Sequence, residues 1–290
     1  MRSLNNASPL TVFIYFAAVT GVAMFCRDPI TASISLFFSV AFYFVRGGRG
    51  SVSSHVRIAV LFVVLSLINP FFYHNGATVL FFIGDSPITL EATLYGITSS
   101  TTVVAVIYWF RSFSEIMTED KLLSLFGTLS PKFSLMVSMI LRFVPMFARR
   151  SKQVNDAQRV LGMYKNDNVV DSVRGGAKVF SGVTGWALEG GIVTADSMEA
   201  RGYGSGRRTL FSLYRFGASD ALFVAITTLM SGVLIAGFFI SGSFVFYPEM
   251  IVPSGVFAVI SYVLYGAVCA QSIVFQIAEE LKWKRLKSKI

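Results

Sequence analysis

Long apolar runs interrupted by short polar connections dominate the chain. Uncharged or nearly uncharged stretches long enough for a bilayer helix, roughly 17–25 residues, fall at about 9–26, 29–45, 56–73, 88–112, 216–241 and 251–278. The second is short and pairs with its neighbour across a tight Arg27-Asp28-Pro29 turn. Asn69-Pro70 marks the end or a kink of the third run. Ser86 is placed to cap the fourth helix, with Pro87 in its first turn, where a missing N–H is harmless. Because the second run follows the first so closely, 9–45 reads as a retained hairpin rather than a cleaved leader, although Arg2 and the first run superficially resemble a signal peptide.

Between the fourth and fifth runs the pattern changes. Positions 142–215 hold 12 Lys/Arg and 6 Asp/Glu, yet apolar residues still recur at helical spacing. The stretch 133–147 is apolar nearly all round. Only nine uncharged residues separate Lys132 from Arg142, too few to span, so a buried or interfacial helix is expected, kinked at Pro145. In 149–165 an amphipathic helix is expected, with Phe147, Val154, Ala157, Leu161 and Tyr164 on one face and Arg150, Lys152, Gln153, Asn155, Asp156 and Arg159 elsewhere. A third helix is expected from about 170 to 201, softened by Gly175, Gly176, Gly182, Gly185, Gly190 and Gly191, through close helix contact or a hinge.

Composition fits a lipid-solvated chain. Of the 290 residues 54% are hydrophobic and 14% charged, where a soluble domain carries about 25% charged, and the mean hydropathy is +0.64. The net charge of +9 follows the positive-inside pattern and does not point to nucleic acid. Arg46, Arg49 and Arg57 lie between runs two and three, none lies in 70–87 or 242–250, and the tail carries Lys282, Lys284, Arg285, Lys287 and Lys289. Six spans with both termini in the cytoplasm satisfy this pattern, and Arg27 is the exception. The expected architecture is all-α: a polytopic bundle of about six spans, with N-terminal spans in 1–112, a cytoplasmic or interfacial helical segment in 113–215, and two spans and a basic tail in 216–290.

The chemistry is sparse. Cys26 and Cys269 suggest neither a disulfide framework nor a metal site. There is no phosphate loop, no metal-binding helix motif and no nucleophile with its base. His55 and His74 read as isolated interfacial polar residues. Glu91 and Asp220 fall near helix starts, where the dipole favours a carboxylate. An intramembrane proton relay is not evident, which counts against an ion-coupled carrier. A self-sufficient permease needs polar groups converging within the spans, and a lipid-directed enzyme needs clustered His, Asp or Glu. Neither feature is visible, so no catalytic residue, cofactor or metal is expected.

Met198-Glu199-Ala200-Arg201-Gly202-Tyr203 closes the third arm helix. Physically, an Arg at a helix end followed by glycines either complements the dipole beside a glycine cap or reaches into a partner's groove. The stretch resembles the M-E-A-R-G signature of the transmembrane T component of energy-coupling factor (ECF) transporters. Leu141-Arg142-Phe143-Val144-Pro145 and Ala157-Gln158-Arg159 resemble that family's R-F-[IV]-P and A-Q-[RK] stretches. Pro87-Ile88-Thr89-Leu90-Glu91, Trp109-Phe110-Arg111-Ser112 and Asp120-Lys121-Leu122-Leu123 follow it in the same order. The resemblance covers about 69–208.

It implies cytoplasmic coupling helices on a multi-pass protein of a bacterial or archaeal cell membrane. Such a subunit is non-catalytic. It joins two ABC-type ATPase subunits or domains to a small substrate-binding membrane protein, the S component, which captures a vitamin, metal ion or similar micronutrient. The coupling residues it implies are Glu199, Ala200, Arg201 and Gly202 at the second site and Ala157, Gln158, Arg159 and Gly162 at the first. The family often shows A-Q-R-A-R-G there, and this chain places Leu161 where the second arginine usually stands. Either Arg159 supplies that charge or the first contact is apolar.

Overall fold

A computed structural model describes residues 7–26, 28–48, 51–73, 76–83, 86–162, 169–206, 216–242, 244–247, 250–253 and 255–287. Arg2, Arg27, Arg49, His74, Tyr164, Lys165, Arg208, Arg215 and Lys289 lie outside the described residues. Helices α1 (Pro9–Phe25), α2 (Pro29–Val45), α3 (Val52–Phe72) and α4 (Leu90–Ile116) precede α5 (Glu119–Leu129), α6 (Pro131–Val160) and α7 (Val169–Ala200). Helices α8 (Ala218–Ser241) and α9 (Val256–Lys287) follow. Each of the six apolar runs is thus helical. Four of these helices, α3, α4, α8 and the apolar part of α9, are long and apolar enough to cross a membrane, while α1 and α2 are shorter apolar helices of 17 residues each. The chain is therefore an all-α, multi-pass membrane protein by length and composition.

Two compact units divide it: Met1–Leu122 with Tyr214–Ile290, and Leu123–Leu213. In the first, α2 packs on α4 and α9, α3 on α4, α8 on α9 and α1, and α1 on α4. Its core is aromatic. Trp109 is fully buried and sits 5.9 Å from both Phe16 and Phe42. Three of its buried polar tips find partners across the helices, as an apolar solvent favours. The Trp109 indole N–H donates to Ser35 Oγ (3.1 Å), the Tyr15 hydroxyl to the Val268 carbonyl (3.2 Å) and the Tyr265 hydroxyl to the Val19 carbonyl (3.4 Å). Gly96 lets α3 approach α4 closely, since a Cβ there would stand 2.7 Å from the Ser66 carbonyl oxygen. The rest of α3 exposes Val56, Val60, Val63, Val64 and Leu67. That is a face for lipid rather than water.

Helix ends are fixed locally. Ser8 caps α1 through the Thr11 N–H (3.4 Å), with Pro9 as the first helical residue. The α4 cap differs from the one the sequence suggests. Ser86 and Pro87 belong to a strand, and Thr89 caps α4 by accepting from the Ala92 N–H (3.3 Å). That strand, β2 (Ser86–Thr89), pairs antiparallel with β1 (Val79–Ile83), opposing Phe82 to Pro87 and Phe81 to Ile88. Five consecutive strand-forming residues, Val79-Leu80-Phe81-Phe82-Ile83, are the signal for this hairpin. His55 is more than an isolated interfacial residue. Its Nδ1 lies 2.9 Å from the Tyr108 hydroxyl, and its ring stacks with Phe44 and Tyr108.

Candidate functional site: two glycine-capped helix ends

The second unit is built around α6 and α7. A single helix replaces the two expected in 133–165: α6 runs unbroken through Pro145 to Val160. Pro145 removes one N–H, and the continuous helical periodicity on either side carries the helix past it. Likewise α7 is one helix through all its glycines.

The pair is antiparallel. Phe143 stacks on Phe147 (5.7 Å), and Phe147 meets Trp186 edge-on (5.9 Å). Arg150 lies 5.5 Å from the Trp186 ring centroid, a cation–π contact. Val154 faces Gly182, where a Cβ would sit 3.9 Å from its Cγ1. Moving back along α6 thus meets residues further along α7. Two grooves flank this contact. One of about 1060 Å³ is lined by Phe147, Lys152, Arg159, Val179, Phe180 and Leu188. The other, about 600 Å³, is lined by Leu135, Met139, Phe143, Thr194, Met198 and Tyr203.

The inward face of α6 differs from the one the periodicity suggests. Phe147, Val154 and Gln158 are half-buried, whereas Ala157 and Leu161 are exposed. The sequence weighed Ala157 and Leu161 as apolar face-mates of Val154. The helix turns instead so that Gln158, with its Oε1 buried and unbonded among the described residues, faces inward. The glycines of α7 also differ from expectation. A Cβ at Gly176, Gly185, Gly190 or Gly191 would meet nothing within 4 Å. Among the described residues these four make no close helix contact. Together with exposed Val173, Phe180, Leu188, Ile192 and Val193, they leave α7 a broad apolar outer face.

Both helices end at a left-handed glycine. In α7 the Gly202 N–H bonds to the Glu199 carbonyl (2.8 Å) and the Tyr203 N–H to the Met198 carbonyl (2.9 Å), with Gly202 at φ +78°. That is a Schellman cap, and it makes Arg201 the last residue before the left-handed glycine. In α6 the Gly162 N–H bonds to the Arg159 carbonyl (3.0 Å), with Gly162 at φ +69°. Aligning the caps sets Leu161 against Arg201, Val160 against Ala200 and Arg159 against Glu199. Arg159 sits two residues before Leu161, about 200° around a helix of 3.6 residues per turn. Its side chain therefore leaves the helix on another side and lines the larger groove. Val160 and Leu161 are 88% and 72% exposed, so the two side chains just before the left-handed glycine present apolar surface.

Glu199, Ala200, Arg201 and Gly202 are all exposed. Since α6 and α7 are antiparallel and contain 30 and 32 residues, their C-termini lie at opposite ends of the pair. At 1.5 Å per residue each helix is about 45 Å long, so the two capped ends are on the order of 40 Å apart. Among the described residues no group of three His, Cys, Asp or Glu could hold a metal ion. No protein-family model matches the chain, and no curated protein matches it.

Proposed function

We propose that this chain is the transmembrane scaffold and coupling subunit of an ECF-type, ATP-driven micronutrient importer. It links two ABC-type ATPase subunits or domains to a small substrate-binding membrane protein and hydrolyses nothing itself. If all six apolar helices cross and both termini are cytoplasmic, as the positive-inside pattern suggests, α6 and α7 belong to the cytoplasmic side. The observation that carries the reading is the pair of antiparallel helices whose exposed, glycine-capped C-termini lie on the order of 40 Å apart. Two such ends suit two partner subunits side by side. The motif series that resembles the T component supports the same assignment, and the ends coincide with its two coupling stretches.

The ends are unequal. At the second, Arg201 presents a permanent charge suited to a carboxylate in a partner's groove. At the first, Val160 and Leu161 present an apolar tip, so that contact is hydrophobic, and Arg159 acts from the side. The open apolar face of α7 and the groove beside Met198 suit the substrate-binding membrane protein.

Arg201→Glu tests the assignment. Truncating one partner of a desolvated charge pair costs about 2–5 kcal/mol, and reversing its sign costs more. Uptake of the transported solute should fall to background in the variant, with membrane insertion and expression unchanged. Wild-type uptake by Arg201→Glu would sink the proposal.

A further inference from the structure

In the first unit, the C-terminal ends of α1 and α8 leave a cavity of about 750 Å³, within the range of small-molecule sites. Its walls are Phe25, Ile235, Phe238, Phe239 and Phe244, and the carboxylate-bearing Asp28 also lines it. Asp28 is only 3% exposed. It occupies the N-cap position of α2, yet its side chain makes no capping hydrogen bond. Instead Oδ1 accepts the Phe244 N–H at 3.3 Å, across the bundle from its own helix. That bond uses one of about four acceptor positions on a carboxylate.

A carboxylate withdrawn from water at the end of an apolar bundle needs a positive partner, and such residues in membrane proteins mark binding sites more often than packing. Among the described residues, the titratable groups that face it, Cys26 and Tyr262, supply no positive charge. The Tyr262 hydroxyl is itself buried without a hydrogen-bond partner among the described residues. Burial pushes the Asp28 carboxyl above its ordinary range, against the Phe244 N–H. Aromatic faces around a carboxylate attract a cation that carries an apolar body. An anion is repelled, and a neutral apolar molecule leaves the carboxylate unpaired.

We propose that this cavity binds an amphiphilic ammonium, its charged nitrogen on the Asp28 carboxylate and its apolar body against Phe25, Phe238 and Phe239. The ammonium comes either from a lipid headgroup such as phosphatidylethanolamine or from a free hydrophobic amine. The site lies wholly within the first unit and does not depend on the coupling role of α6 and α7.

The full chain, purified in detergent, is titrated with phenethylammonium and with neutral phenethyl alcohol while its melting temperature is followed. In parallel, chain extracted from mixed phosphatidylethanolamine and phosphatidylglycerol vesicles is examined by native mass spectrometry for retained lipid. Two variants accompany it. Asp28→Asn removes the charge. Gly21→Leu grows a side chain from a cavity-lining position where a Cβ meets nothing within 4 Å, so it fills the cavity and preserves the fold. A saturable rise in melting temperature with the amine alone, weakened at least tenfold in apparent affinity by both variants, supports the site and a free-amine ligand. Selective retention of phosphatidylethanolamine, lost in both variants, supports it with a lipid ligand. The proposal is overturned if amine and alcohol act alike and no lipid is selected. It is equally overturned if the folded Gly21→Leu variant binds amine and lipid as the wild type does.

Discussion

The Arg46 side chain closes α4, while its backbone N–H ends α2 on the Phe42 carbonyl (3.1 Å). Its guanidinium donates to the Ser112 carbonyl (3.1 Å) and the Glu115 carbonyl (3.3 Å) near the C-terminal end of α4, where a cation also suits the helix dipole. Lys121, 2% exposed at the start of α5, lies in the same neighbourhood. Burial and then the Arg46 charge pull its ammonium down from 10.5 to about 8. Between those values the unfolded chain binds a proton that the folded chain does not, so stability rises with pH through that window. In detergent, the melting temperature of the wild type should therefore gain on that of Lys121→Met as pH is raised from 7 to 10. Parallel curves, or a gain in the opposite direction, would show that the fold does not lower the pKa of Lys121. At this scale the sequence was partly readable. Arg201 and Gly202 announce a helix stop through residue type alone, and the cap geometry agrees. The partners of Arg46 and the burial of Lys121 could not be read, because they depend on how the end of α2 meets the end of α4.

Among the elements, the apolar runs identified the membrane helices because run length is itself the physical requirement for crossing a bilayer. Boundaries set by competition were harder. Ser86-Pro87 satisfies the rules for a helix start, but Thr89 also caps, and pairing of Val79–Ile83 draws the proline into a strand. Pro145 and the α7 glycines look like breakers, yet both helices continue through them. Glycines in this chain divide by surroundings that a sequence does not display. Gly96 faces the α3 backbone, and Gly185 faces open space. Substitutions there should act in opposite directions. Gly96→Leu forces α3 from α4 and should destabilise the chain by about 1–3 kcal/mol, whereas Gly185→Ala should stabilise α7 by about 0.5–1 kcal/mol. Equilibrium unfolding in mixed micelles measures both. Equal tolerance of the two changes would mean that α3 and α4 do not approach at Gly96.

For the whole molecule, the division of labour follows from composition. The first unit places aromatic and aliphatic side chains both in its core and on its lipid-facing surface, and pairs many of its hydroxyls internally, as with Ser35 and Trp109. Cationic residues concentrate instead in 142–215. Two long helices there carry charge and an open apolar face with few partners inside their own unit. Such surface is stable only if lipid or other proteins cover it, which accords with a subunit that works inside an assembly. Neither grooves nor relative cap positions could be read from periodicity, because a one-position rotation of α6 exchanges Ala157 for Gln158 on the inward face. The coupling claim is tested most directly by purifying the tagged chain from its native membrane in mild detergent and identifying what accompanies it, beside Arg201→Glu. The account predicts ABC-type ATPases and a small membrane protein with the wild type, ATPase activity in the purified material, and loss of the ATPases from the variant. A chain that purifies alone and moves a solute unaided in liposomes would contradict it.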